Sequence, residues 1–168
     1  MDNSKIIYLH GLESNSQSGK AQKFAALFPG MITPDFVGSF DERMSQLMPI
    51  LGDEKGWTII GSSFGGLMGA VFTCQRPQQV RKLILLAPAL MPDVFGEQIK
   101  TLRRVMTPTV WVHGFEDDVV PLDSVRWTVE TTFPNYHVLL VHDGHRLHQA
   151  FEEIEWNLLV EEENLFCE

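Results

Sequence analysis

The chain has 168 residues, 44% of them hydrophobic and 21% charged, which suits a globular protein with one core. Its formal charge of −9 argues against nucleic acid or an anionic membrane as partner. The longest apolar run, Leu83 to Met91, is broken by Pro88 and too short to cross a bilayer, so no membrane insertion is expected.

Ile6-Ile7-Tyr8-Leu9 is a wholly apolar run of the kind that forms a parallel strand buried on both faces. It follows Met1-Asp2-Asn3-Ser4-Lys5 at once and leaves no room for a signal peptide, and a cytoplasmic location is expected. The strand ends in His10-Gly11-Leu12. Ala21, Phe24, Ala25 and Phe28 mark a helix face that Pro29-Gly30 stops. Met31 to Val37 reads as a weaker strand, placed at a sheet edge because Pro34 interrupts it. Met44, Leu47, Met48 and Leu51 mark the next helix. Trp57 to Ile60 is a strand, and the helix from Phe64 to about Arg76 ends before Pro77.

Leu83 to Leu86 is another buried strand. Phe95, Ile99, Leu102 and Met106 share one predicted helix face. Val110 to Val112 is a strand ending in His113-Gly114, and Leu122, Val125 and Val129 belong to a further helix. Val138 to Val141 is the last strand, and Leu147, Phe151, Ile154 and Leu158 run down the terminal helix. Strands and helices alternate throughout, which implies a single α/β domain over residues 1–168, with a mostly parallel six-stranded sheet between two helical layers. Cys74 and Cys167, the two cysteines, make neither a disulfide framework nor a cysteine metal site.

In such sheets, sites form at the carboxyl ends of the strands. Gly61-Ser62-Ser63-Phe64-Gly65 fits G-x-S-x-G, a strand-to-helix turn that exposes the central serine, here Ser63. A Cβ on Gly61 or Gly65 would clash where helix and strand approach. The Phe64 amide opens the helix and can donate to a developing oxyanion. A serine needs a base and the base needs an orienting acid, and both types stand at later strand ends. Glu116, Asp117 and Asp118 are adjacent candidates for the acid. His142, His145 and His148 recur every third residue. That spacing can mark a metal site on a helix, but Gly144 interrupts the helix and no carboxylate or cysteine set converges, so neither metal nor cofactor is expected. His10 and His113 each precede a glycine at a strand end, where a ring bonded to nearby backbone is the expected role.

The order Ser, Asp, His along the chain resembles the α/β-hydrolase family. His113-Gly114-Phe115-Glu116-Asp117-Asp118-Val119-Val120-Pro121 resembles that family's acid loop, H-G-x-x-D-x-x-V-P, and so selects Asp117. His145, after the last strand and a glycine, is where the family's base sits. Tyr8-Leu9-His10-Gly11-Leu12 looks like its oxyanion loop, which implies that the Leu12 N–H joins that of Phe64. With Gly61-Ser62-Ser63 and Gly144-His145, the segment is similar to the small bacterial YqiA-like esterases.

The resemblance implies a minimal fold that lacks the family's first two strands and a large cap, with strand order 2-1-3-4-5-6, and leaves Met91–Met106 as the one candidate for a small lid. It implies a small-molecule ester substrate cleaved through an acyl-enzyme. The alternatives are a small acyl thioester, a lyase or peroxide-forming relative that keeps the triad, or a binding module on the same fold.

Overall fold

The computed structural model describes residues 2–161; Cys167 lies outside them. Five parallel strands stand in the order of the chain: β1 (Ile6–Leu9), β2 (Trp57–Ser62), β3 (Val80–Leu86), β4 (Thr109–Gly114) and β5 (Tyr136–Val141). The apolar runs set the registers, with Ile7 opposite Ile59, Ile60 opposite Ile84, Leu85 opposite Trp111 and Val112 opposite Leu139.

The expected edge strand over Met31–Val37 contracts to one bridge. Ile32 pairs with Ile7, donating to the Ile6 carbonyl at 2.8 Å and accepting from the Tyr8 N–H at 2.9 Å. Pro34 has no N–H to continue the ladder, and the Phe36 N–H is spent on the His10 ring at 2.9 Å. The sheet therefore has five strands and a one-residue edge, and that edge lies beside β1 as expected.

Alternation along the strands feeds two core layers. Ile7, Leu9, Ile59 and Leu83 point towards α2 (Phe40–Leu51), α3 (Phe64–Gln75), α4 (Pro92–Ile99) and α5 (Leu122–Thr132). Ile6, Tyr8, Ile60 and Ile84 point towards α1 (Gly19–Leu27), α6 (His148–Glu153) and α7 (Trp156–Glu161). Ser18 caps α1 through the Ala21 N–H, and Ser39 with Glu42 forms a reciprocal capping box on α2. Among the described residues, no helix is long and apolar enough to cross a membrane.

Two helices are shorter than their apolar periodicity suggests. The face through Phe95, Ile99, Leu102 and Met106 stops being helical after Ile99, and Met106 is exposed. Arg103 holds the following segment against the end of α3, its Nε donating to the Cys74 carbonyl at 2.7 Å while the Cys74 thiol donates to the Arg103 carbonyl at 3.2 Å. The terminal helix breaks at Ile154-Glu155. A continuous helix would place Phe151 and Trp156 about 140° apart at ~100° per residue. The break lets both rings meet Phe24, edge to face, with centroids at 4.8 and 4.9 Å.

Phe24 is fully buried between α6 and α7, whereas Leu27 on the same helix is exposed. Phe24→Ala should cost about 3–5 kcal/mol and Leu27→Ala no more than about 0.5 kcal/mol, read from urea unfolding midpoints. Equal losses would contradict this packing.

Candidate active site

Every group singled out in sequence at a strand end reaches the carboxyl edge of the sheet. Ser63 follows β2 directly with φ 54° and ψ −115°, a strained conformation for a residue with a Cβ. The turn is tied down on both sides. The Ser63 N–H donates to the Leu86 carbonyl at 3.0 Å, and its carbonyl accepts from Gly66 and Ala89, both at 2.9 Å. A Cβ on Gly65 would overlap the Leu9 carbonyl, and one on Gly61 would come within 2.8 Å of the Gly66 Cα. Ala87 and Leu147 are the other non-glycine residues with positive φ among those described, and Leu147 also borders the site.

Ser63 Oγ stands 3.0 Å from His145 Nε2, and His145 Nδ1 stands 2.8 Å from Asp117 Oδ2. The carboxylate is acceptor-only, so it fixes the tautomer: Nδ1–H donates to Asp117 and Nε2 is left to accept the Ser63 proton. Asp117 Oδ1 accepts from the Val119 N–H at 3.0 Å and the Val120 N–H at 2.7 Å. Burial works against a charge on Asp117, but hydrogen bonds from His145 and Val120 and the nearby imidazoles outweigh it, and the carboxyl is held below its usual range.

Glu116 and Asp118 point away and are exposed; Glu116 Oε1 pairs with His142 Nδ1 at 3.2 Å on the surface. His142, His145 and His148 thus do not converge, and His148 opens α6. His10 and His113 are buried with rings committed to the backbone. His10 Nδ1–H donates to the Gly11 carbonyl at 2.7 Å. His113 Nε2–H donates to the Val120 carbonyl at 2.8 Å, while its Nδ1 accepts from the Trp111 indole at 3.0 Å. His113 Nε2 also lies 3.4 Å from Asp117 Oδ2, so this ring braces the acid loop twice.

Leu12 and Phe64 border the same cavity as Ser63, and neither backbone N–H has an acceptor among the described residues. Sequence reasoning missed what holds their loops. Arg43 of α2 is buried, donates to the Gly38 carbonyl at 3.1 Å and the Leu12 carbonyl at 3.0 Å, and lies 5.3 Å over the Phe64 ring. It joins the two amide-bearing loops. Asp143 was missed as well. Its carboxylate accepts from the Gly144 N–H at 2.8 Å, the Gln149 N–H at 2.8 Å and the Ala150 N–H at 3.0 Å, bracing the His145 loop against α6. An arginine at the fourth position of an ordinary amphipathic helix carries no signal for the first. For the second, an Asp a few residues before a helix is a cap signal, hidden here by the histidine cluster.

The cavity beside Ser63 holds about 760 Å³, the size of small-molecule sites. Phe64, Met91 and Phe95 form an apolar wall, with the Phe64 and Phe95 rings edge to face at 5.6 Å. Lys20, Lys23 and Arg146 line the other side.

Residues 14–101, just over half of the chain, match the sequence model of the alpha/beta hydrolase fold. The chain belongs to the α/β-hydrolase family. Among solved structures, this α/β-hydrolase is similar to alpha/beta hydrolase domain-containing protein 10 from mouse, at 19% identity and a TM-score of 0.70 over 92% of this chain and 86% of that one. It is similar to a monoacylglycerol lipase from Paleococcus ferrophilus, at 16% identity and TM-score 0.71 over 92% and 93% of the two chains. It also resembles Est1E from Butyrivibrio proteoclasticus, a structure with ferulic acid bound, at 14% identity and TM-score 0.71 over 92% and 87%. These likenesses show the fold. A stretch of 109 residues, 61% of this chain, is 29% identical to the homoserine O-succinyltransferase of Methylibium petroleiphilum. The chain spans about a quarter of that curated relative, 27% of its length.

Asp117 gives the site a pH signature. A carboxyl whose folded pKa lies below the unfolded value of about 3.9 adds stability that is fully present above that value and lost as pH falls through the folded one. Removing the charge with Asp117→Asn should therefore open a stability gap from wild type that is widest above about pH 5 and narrows below about pH 4, measured by urea unfolding across pH. A gap constant from pH 7 to pH 3 would show that the carboxyl titrates alike in both states.

Proposed function

We propose that this α/β-hydrolase cleaves carboxylic esters of small molecules through an acyl-enzyme, with Ser63 as nucleophile, His145 as base and Asp117 as the acid that orients it. The observation that carries the reading is the relay of 3.0 and 2.8 Å linking Ser63, His145 and Asp117 from three separate strand ends, with Ser63 and His145 lining one cavity. Ser63 Oγ attacks the ester carbonyl carbon as its proton passes to His145 Nε2, and Asp117 stabilises the imidazolium. The carbonyl oxygen becomes an oxyanion on the N–H groups of Leu12 and Phe64, each worth about 10²–10³ in kcat in comparable sites. Collapse breaks the bond to the alcohol, which leaves with the Nε2 proton. Water then attacks the acyl-enzyme by the same relay and frees Ser63.

The family includes enzymes of several reaction types, so chemistry rests on the site rather than on the fold. The stretch similar to a homoserine O-succinyltransferase favours one second reading, transfer of the acyl group to an alcohol in place of water. Adding a hydroxy amino acid to the assay and analysing products separates the two outcomes.

A fluorophosphonate probe should label wild type and leave Ser63→Ala unlabelled; labelling of the alanine variant would move the nucleophile, with Ser62 the first suspect. Asp117→Asn should lower kcat by roughly 10²–10⁴-fold, and Asp118→Asn should stay within about threefold. A crippled Asp118→Asn beside an active Asp117→Asn would overturn the assignment of the acid. Arg43→Met should reduce kcat while changing KM little, because it releases the loop that carries the Leu12 amide; a loss confined to KM would contradict that role.

A further inference from the structure

The wall of the cavity opposite Phe64 and Phe95 has an unusual composition for a protein of net charge −9. Tyr8 from β1, Ser62 from the end of β2 and Lys20 from the first turn of α1 meet there. Lys20 Nζ donates to Ser62 Oγ at 3.4 Å, and the Tyr8 phenol lines the same wall of the cavity. Tyr8 is buried, and burial lifts its phenol to about 12, so it stays a neutral donor at working pH.

Lys20 has no carboxylate within ion-pair distance among the described residues, in contrast to Lys23 one turn on, which is paired with Glu152. The charges it senses are Asp143 and Asp117, which favour its charged form, and Arg146, which opposes it. Asp143 is already spent on the amides of α6, and Asp117 on His145. Burial dominates and pushes the Lys20 ammonium down to about 8. Arg146, the residue after His145, is exposed at the rim of the cavity and likewise has no ion pair among the described residues. Glu13 is the one acidic residue among the lining groups, and it is exposed.

A partly desolvated cation beside two hydroxyls, without a counter-ion, carries a standing cost that an incoming anion relieves. We propose that this cluster is a carboxylate subsite: the ester that enters the pocket bears a carboxylate that seats on Lys20 and Ser62 with Arg146 at the rim, while its apolar arm lies on Phe64, Met91 and Phe95. The inference rests on the ester-hydrolase reading and narrows its substrate class.

Two matched pairs test it, one for each arm of the ester. 4-Nitrophenyl hexanoate and mono-4-nitrophenyl adipate differ at the end of the acyl chain, and phenyl butyrate and 4-(butyryloxy)benzoate differ on the alcohol. In one pair, wild type should prefer the carboxylate member by kcat/KM, with the preference falling as salt screens it. Lys20→Met should lower the carboxylate-to-neutral ratio of that pair about 10-fold or more, chiefly through KM, as loss of a charge-assisted contact does. Lys20→Arg should recover most of the ratio.

Equal losses on both members in both pairs would make Lys20 merely structural and overturn the subsite, as would a wild type with no preference in either pair. Glutarate should also protect Ser63 of the unmodified enzyme from the fluorophosphonate probe where neutral glutaramide does not. Protection by both alike, or by neither, would also count against the subsite. Turnover of neutral esters with a flat ratio overturns the subsite alone. No turnover of any ester, with no labelling of Ser63, overturns the hydrolase reading and the subsite with it.

Discussion

Ser63 adopts φ 54° because the chain around it has nowhere else to go. β2 must turn into α3 within one residue while α3 lies close enough to β1 that a Cβ on Gly65 would overlap the Leu9 carbonyl. The strain, of order 1–3 kcal/mol at a residue with a Cβ, is held by bonds from Ser63 to Leu86, Gly66 and Ala89. Those same bonds fix the start of β3's exit loop and the wall near Ala89. The direction of one side chain and the shape of the neighbouring cavity therefore come from a single constraint. Once Oγ is aimed upwards, the parallel sheet brings the ends of β4 and β5 to the same edge, and the loops that follow them carry Asp117 and His145 back to Ser63.

Supporting contacts repeat a pattern in which a polar side chain ties down a loop that the sheet leaves free. Arg43 holds the Leu12 loop next to Phe64, His113 braces the Asp117 loop, and Asp143 ties the His145 loop to α6. Each replaces loop freedom with charge-assisted or fully satisfied hydrogen bonds, for Arg43 and His113 in a buried setting. Lys20 departs from that pattern. It reaches Ser62 but has no anionic partner in range among the described residues, which is why it is better read as facing a ligand than as facing the fold.

Much of this was legible in the sequence because it follows from local pattern. Apolar runs such as Ile6–Leu9 and Leu83–Leu86 have one stable use in an α/β chain, and the glycines around Ser63 announce a close approach. What escaped was set by distant partners. The Met31–Val37 segment loses its strand because Pro34 cannot donate and His10 takes the Phe36 amide. The terminal helix breaks because Phe151 and Trp156 both pack on Phe24, more than a hundred residues earlier in the chain, a partner that their own segment does not reveal. Arg43 and Lys20 look like ordinary polar positions on amphipathic helices, and only the fold shows that one is buried against a loop and the other aimed at a cavity.

The central claim is that acyl transfer passes through Ser63, and the most direct measurement is rapid acid quenching of the enzyme with a slowly deacylating ester, followed by intact mass and peptide mapping. The account predicts an acyl adduct on the peptide that carries Ser63, formed at a rate equal to or above turnover and lost in Ser63→Ala. An adduct on any other residue, or turnover that persists in Ser63→Ala at the wild-type rate, would contradict it.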